Sequence, residues 1–304
     1  MTLTPHRRRA AANSFTPRFA LALAAGLAAA VILAPIVADA VAALGFRFPF
    51  PRIFDRVVMA VLLAALLIAS RRLRFIPLVR AGFAAPRRNL GRFAIGLGLA
   101  LAALAILFAI ARAAAPAPAP QARLGAALMR ALAQLPAALA IALIEEAFFR
   151  AFLLAGMRDD CGARGALIAS SAFYAVVHLL RSPAHYYVTG FHPAAGLETL
   201  RASAALLCHP AAAAPALLGL FLLGIALGET CLLTGNVWMA VGMHAGFVLG
   251  AKSWGAFING AAPPRWIAGP GPVPLIAAPA AWVAALALCA LLPRIARPRG
   301  AQES

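Results

Sequence analysis

Glu145 and Glu146 stand side by side in the run Ile141-Ala-Leu-Ile-Glu-Glu-Ala-Phe-Phe-Arg150, which otherwise reads as a membrane-spanning helix. A charged side chain near the bilayer centre costs roughly 2.5–3.5 kcal/mol even on lenient insertion scales, so three together need partners, a wet cavity or a chemical role. Glu146 and Arg150 are four apart, on one helical face and in the favourable acid-first order, whereas Glu145 is turned about 100° away. Arg150 can therefore neutralise and position Glu146, leaving Glu145 to act as a general base or acid. The plainer alternative is a structural ion pair holding two helices together.

Two histidines could share that chemistry. His178 lies in Ser170-Ser-Ala-Phe-Tyr-Ala-Val-Val-His-Leu-Leu180, on the next apolar run. His244 follows in Gly235-Asn-Val-Trp-Met-Ala-Val-Gly-Met-His-Ala-Gly-Phe-Val248, between Gly242 and Gly246, which would let another helix or a substrate backbone approach closely. Either histidine alone reads as a hydrogen-bonded core residue; both together, with a buried carboxylate pair, read as a site. Glu229 is a third intramembrane acid, with a structural or supporting role expected. His185, His192 and His209 fall in a proline-containing connection and read as solvated. Cys161, Cys208, Cys231 and Cys289 are scattered without CxxC or Cys–His spacing, which suggests neither a disulfide framework nor a structural zinc site.

These residues must be positioned by membrane helices. Hydrophobic residues make up 63% of the 304-residue chain, and its mean hydropathy is +0.88. A soluble domain holds roughly 45–50% apolar residues, so an all-α, polytopic membrane protein is expected. The formal charge of +18 sits at the edges of apolar segments, which favours a membrane surface over nucleic acid. With about 20 apolar residues per crossing as the ruler, spans are expected near 19–41, 55–70, 92–113, 134–157, 165–181, 211–233, 237–253 and 273–293. Arginines crowd the N-terminus, the 71–92 connection, the 158–164 turn and the 294–299 tail, so both termini are expected in the cytoplasm.

The alternating prolines of Ala113–Gln121 disfavour a continuous helix and mark a boundary. The expected organisation is an N-terminal membrane region over 1–121, a functional core over 122–260, and a last span with a basic tail over 261–304. Part of the 182–210 connection is expected to form an amphipathic surface segment. At 1.5 Å per residue, Glu145 lies about 20 Å along its helix from Arg158, and His178 about 21 Å along the next from Arg164. Antiparallel neighbours joined by a short turn would hold the two at similar depth.

The pattern resembles the CPBP family of intramembrane proteases, also called the type II CAAX prenyl endopeptidase or ABI family. The resemblance covers roughly residues 125–255 and rests on EExxxR at Glu145, Glu146 and Arg150, then His178 with Tyr174 four residues before it, then His244 in Thr234-Gly-Asn-Val-Trp-Met-Ala-Val-Gly-Met-His-Ala-Gly246. It implies an eight-span helical protein with a water-accessible intramembrane cavity. It also implies that Glu145, with His178, activates a water, that Glu146 and Arg150 position that carboxylate, and that His244 stabilises the oxyanion or holds the water. The chain departs from the pattern twice: Tyr174 replaces the usual phenylalanine, and Val248 replaces the usual asparagine or aspartate. Members are often labelled metalloproteases, and Glu145, His178 and His244 could ligate zinc as a His₂Glu set. No HExxH helix is present, so a metal-free reaction is the favoured expectation, with zinc as the alternative.

The resulting expectation is an endopeptidase in a bacterial inner membrane, acting on a CAAX-type or other membrane-associated peptide or protein. Its competitors are a catalytically inactive immunity or scaffold protein of the same family and a transporter with a proton relay. The transporter lacks the internal repeat that such folds carry, since the intramembrane polar residues occupy one half of the chain.

Overall fold

The computed structural model describes residues 14–115, 124–181, 185–188, 190–258, 263–270 and 275–296, and among these all regular structure is helical. In chain order the helices are α1 (Phe15–Ala43), α2 (Phe50–Leu73), α3 (Phe75–Gly82), α4 (Leu90–Ala113), α5 (Leu124–Glu146), α6 (Ala155–Leu179), α7 (Ala195–Ser203), α8 (Pro210–Thr234), α9 (Trp238–Ile258), α10 (Arg265–Ala268) and α11 (Pro279–Ile295). A π-helical stretch, Ala147–Leu154, joins α5 to α6. The chain is a polytopic membrane protein. Five described helical stretches are long and apolar enough to cross a bilayer: Phe15–Ala43, Phe50–Leu73, Pro86–Ala113, Gly125–Leu179 and Pro210–Thr234.

The two spans expected at 134–157 and 165–181 lie within the 55-residue stretch Gly125–Leu179. Gly162, at φ 71° and ψ 173°, breaks its helical path inside α6. Only glycine adopts such a conformation without steric cost, so the expected turn at 158–164 is reduced to a break at one residue. The helix over the expected 237–253 span, α9, carries His244 and Lys252 and is glycine-rich, and it is not among the five. The last helix, α11, is only 17 residues long, because residues 275–277 before it form a turn. Both chain termini and most of the Ala/Pro boundary at 113–121 lie outside the described residues.

The chain divides into two compact units. The first comprises Met1–Ile76 and Val176–Ala213. In it α1 and α2 form a hairpin whose core holds Ala30, Ala34, Phe50, Phe54 and Val57, joined by Ala195 of α7. The 182–210 connection is partly helical, as expected, but α7 packs onto α1: a Cβ on Gly196 would collide with the Val31 carbonyl. Tyr186 fastens the same connection, its carbonyl accepting a hydrogen bond from the Phe50 N–H at 2.8 Å and its hydroxyl meeting Thr199 Oγ1 at 2.5 Å.

The second unit comprises Pro77–Ala175 and Ala214–Ser304, and its centre is the pair α4 and α9. Gly96 of α4 lies against the backbone of Met239 and Met243, and Gly242 of α9 against the Phe93 carbonyl and Leu97 nitrogen. Gly246 and Gly250 continue the contact against Ala100 and Leu104. Membrane helices associate without a hydrophobic driving force, so backbone approach at small residues supplies the packing. Gly242 and Gly246 flank His244 in sequence, so this stripe also fixes the height of His244.

Candidate active site

Glu146 ends α5, and the π-helical stretch begins immediately after it. Every residue from Phe149 to Leu154 is buried, which a regular amphipathic helix with one solvated face would not achieve. The widened turn carries Arg150 inward with its aromatic neighbours; π-helical turns recur at functional sites for this kind of side-chain placement.

The Glu146 carboxylate has no solvent exposure. Its Oε1 lies 3.2 Å from Arg150 Nη1, the ion pair expected from the spacing. The same oxygen lies 2.7 Å from His244 Nδ1, a contact that the sequence spacing does not reveal. Arg150 is also buried: its Nη2 donates to the Gly224 carbonyl at 3.3 Å, and its guanidinium carbon lies 4.7 Å from the Tyr174 ring centroid. The Tyr174 ring meets Phe149 edge-on at 4.9 Å and the His244 ring at 6.3 Å. An aromatic wall thus surrounds a buried cation and anion, strengthening their attraction and the cost of losing either partner.

The other nitrogen of His244, Nε2, faces Glu145 Oε2 at 3.6 Å, and the Glu145 side chain is 25% exposed. That separation exceeds a hydrogen bond. One imidazole therefore stands between two carboxylates of different character: Glu146 is sealed and held by Arg150, while the Glu145 side chain is partly exposed although its Oε2, the oxygen that faces His244, is buried. The 100° divergence expected of adjacent helical residues separates their exposure but does not send them to different partners.

What holds His244 in place begins upstream of α9. Asn236 Oδ1 accepts a hydrogen bond from the Trp238 N–H at 3.2 Å, capping the helix. Asn236 Nδ2 donates to Asn89 Oδ1 at 3.2 Å and to the Thr234 carbonyl at 3.1 Å. Arg92 Nη1 donates to Asn89 Oδ1 at 2.9 Å and to the Thr234 carbonyl at 3.2 Å. The Val237 N–H donates to the Gly82 carbonyl at 3.1 Å, and Trp238 Nε1 donates to the Ala84 carbonyl at 3.1 Å. Asn236 is thereby committed to the start of α9 and to Asn89. Asn89 and Arg92 were missed, since their bonds span 147 and 142 residues; the available signal was an asparagine just before an apolar helix.

The remaining candidates are placed as follows. His178 lies in the last turn of α6, half-buried, and belongs to the first unit. Glu229 hydrogen-bonds Cys289, consistent with a structural role. Val248, one turn after His244, is half-buried. His185, His192 and His209 are exposed. A cavity of about 180 Å³ is lined by Arg150 together with Arg158, Gly235 and Asn236.

Among the described residues, no group of three or more His, Cys, Asp or Glu side chains is arranged to hold a metal ion. His244 Nδ1 is engaged by Glu146 at 2.7 Å, so only its Nε2 could face a metal. The described donors do not fit a His₂Glu centre.

Comparison with curated proteins and with solved structures returned no match. Residues 127–250, which contain Glu145, Glu146, Arg150, His178 and His244, match the family model for type II CAAX prenyl endopeptidase Rce1-like proteins.

Proposed function

We propose that this chain is an intramembrane endopeptidase in which Glu145 is the general base. The observation that carries the reading is the line Arg150–Glu146–His244–Glu145, in which Glu146 is sealed while the Glu145 side chain is partly exposed, with its Oε2 buried towards His244. A water beside Glu145 loses its proton to that carboxylate and attacks the peptide carbonyl carbon. The carbonyl oxygen becomes an oxyanion, and the proton passes from Glu145 to the departing amine as the C–N bond breaks. The family pattern also gives His178, four residues after Tyr174, a part in holding a water. His244 supplies the imidazole beside the oxyanion or the water. Its orientation comes from Glu146, much as a buried carboxylate orients the histidine of a catalytic triad, and Glu146 is in turn positioned by Arg150.

The scheme needs no metal, and the proposed catalytic core is 122–260. The substrate class is a CAAX-type or other membrane-associated peptide, and the proposed location is a bacterial inner membrane. The test is cleavage of membrane-associated reporter peptides by vesicles carrying wild-type or Glu145→Ala protein of equal thermal stability. Loss of processing supports the reading. Unchanged processing overturns it and favours an inactive immunity or scaffold protein, the reading to which Val248 in a usually polar position lends support.

A further inference from the structure

The first unit carries a groove that peptide hydrolysis does not use. It lies between α1 and α2, holds about 540 Å³, and is lined only by residues of those helices and of the link between them. Leu33, Val37 and Val41 line it from α1 at four-residue intervals, and Ile53, Val57 and Val61 do so from α2. Each set forms one helical stripe. Leu33 and Val37 are exposed, so the groove opens to the membrane rather than into the packed core of the unit.

Polarity changes along its length. Arg52 and Arg56 line the end beside the α1–α2 link and are both exposed. They are four apart, so both guanidinium groups reach the same end of the groove. Asp55 lies between them in sequence but is not among the lining residues, and no acid lines the groove at all. From Arg56 the apolar stripe of α2 continues about 7 Å to Val61, and that of α1 runs about 12 Å from Val41 to Leu33. The result is a cationic head and an apolar tail within one groove of a membrane-spanning hairpin.

We propose that this groove is a binding site for an anionic phospholipid, with its phosphate held by Arg52 and Arg56 and an acyl chain lying along Val37, Val57 and Val61. Charge complementarity selects the headgroup: two uncompensated guanidinium groups suit a phosphodiester without a cationic substituent, and guanidinium binds phosphate through paired hydrogen bonds. A juxtamembrane arginine near an anionic headgroup contributes enough that losing both should weaken retention roughly thirtyfold. The site is independent of the peptidase reading.

The full chain would be reconstituted in vesicles of equal phosphatidylcholine and phosphatidylglycerol, extracted gently, and examined by native mass spectrometry. Wild-type protein is expected to retain phosphatidylglycerol in at least about tenfold preference to phosphatidylcholine. Arg52→Gln/Arg56→Gln should lose that preference. Arg71→Gln/Arg72→Gln, at the opposite end of α2, should keep it. Val37→Trp, with both arginines intact, should displace the lipid by filling the groove; its exposed position lets it carry the test if the arginine pair fails to fold. Equal retention of the two lipids, equal loss in both arginine variants, or undiminished binding by Val37→Trp would overturn the proposal.

Discussion

Glu146 Oε1 and His244 Nδ1 meet at 2.7 Å inside the protein, with Arg150 on the same carboxylate oxygen. The contact ties α9 to the end of α5, so the carboxylate that neutralises the arginine also fixes the imidazole. Removing one member leaves the other two as mismatched charges or unsatisfied donors in a buried site, where breaking a buried pair costs about 3–5 kcal/mol.

Glu146→Gln should therefore damage both folding and catalysis. Thermal unfolding in detergent is expected to show a loss of about 3 kcal/mol or more, with reporter cleavage falling by about 10²–10⁴-fold in whatever protein stays folded. Glu145→Gln should leave unfolding nearly unchanged while abolishing cleavage. Equal stability losses in the two variants would contradict the division between a sealed and a partly exposed acid.

Arg150→Lys should be far from conservative. The guanidinium forms an ion pair with Glu146 and donates to the Gly224 carbonyl while lying over Tyr174, and a lysine ammonium cannot supply that planar fork and stacking face together. A stability loss of about 1–3 kcal/mol is expected, with weaker cleavage as Glu146 and His244 lose their fixed position. Wild-type melting and turnover in the lysine variant would show that charge alone suffices.

The charge pair, the histidines and the two close-packing glycines were legible because each departs from an apolar helix in a way that local chemistry explains. Gly242 and Gly246 could be assigned to close approach, and the structure places α4 against them. The Glu146–His244 contact was not legible, because it joins residues 98 apart and helical spacing relates neighbours only within a few turns. The π-helical stretch after Glu146 was also hidden, since Ala147–Leu154 has the composition of an ordinary α-helix. Asn89 illustrates the same limit: its place just before α4 is a local signal, but its bond to Asn236, 147 residues on, is not.

That asparagine pair offers its own test. Asn236→Ala removes the cap acceptor of α9 and the bond to Asn89, with an expected cost of about 1–2 kcal/mol. Asn89→Ala should cost a similar amount, and the double variant less than the sum, because the two share one bond. Measured unfolding energies that simply add would show that Asn89 and Asn236 act separately. Cleavage should fall in both single variants, because α9 carries His244 from this anchor.

Gly242→Ala should be among the most disruptive small changes in the chain. Its new Cβ would meet the Phe93 carbonyl and the Leu97 nitrogen, backbone atoms that cannot rotate aside, so α4 and α9 must separate at the height of His244. Overpacking of this kind typically costs about 1–3 kcal/mol. Gly255, on the same helix, has open space where its Cβ would be. Gly255→Ala should therefore be neutral or stabilise α9 by a few tenths of a kcal/mol up to about 1 kcal/mol. The pair controls for helix propensity, so equal melting temperatures in the two variants would rule out the glycine contact as what sets His244 against Glu146.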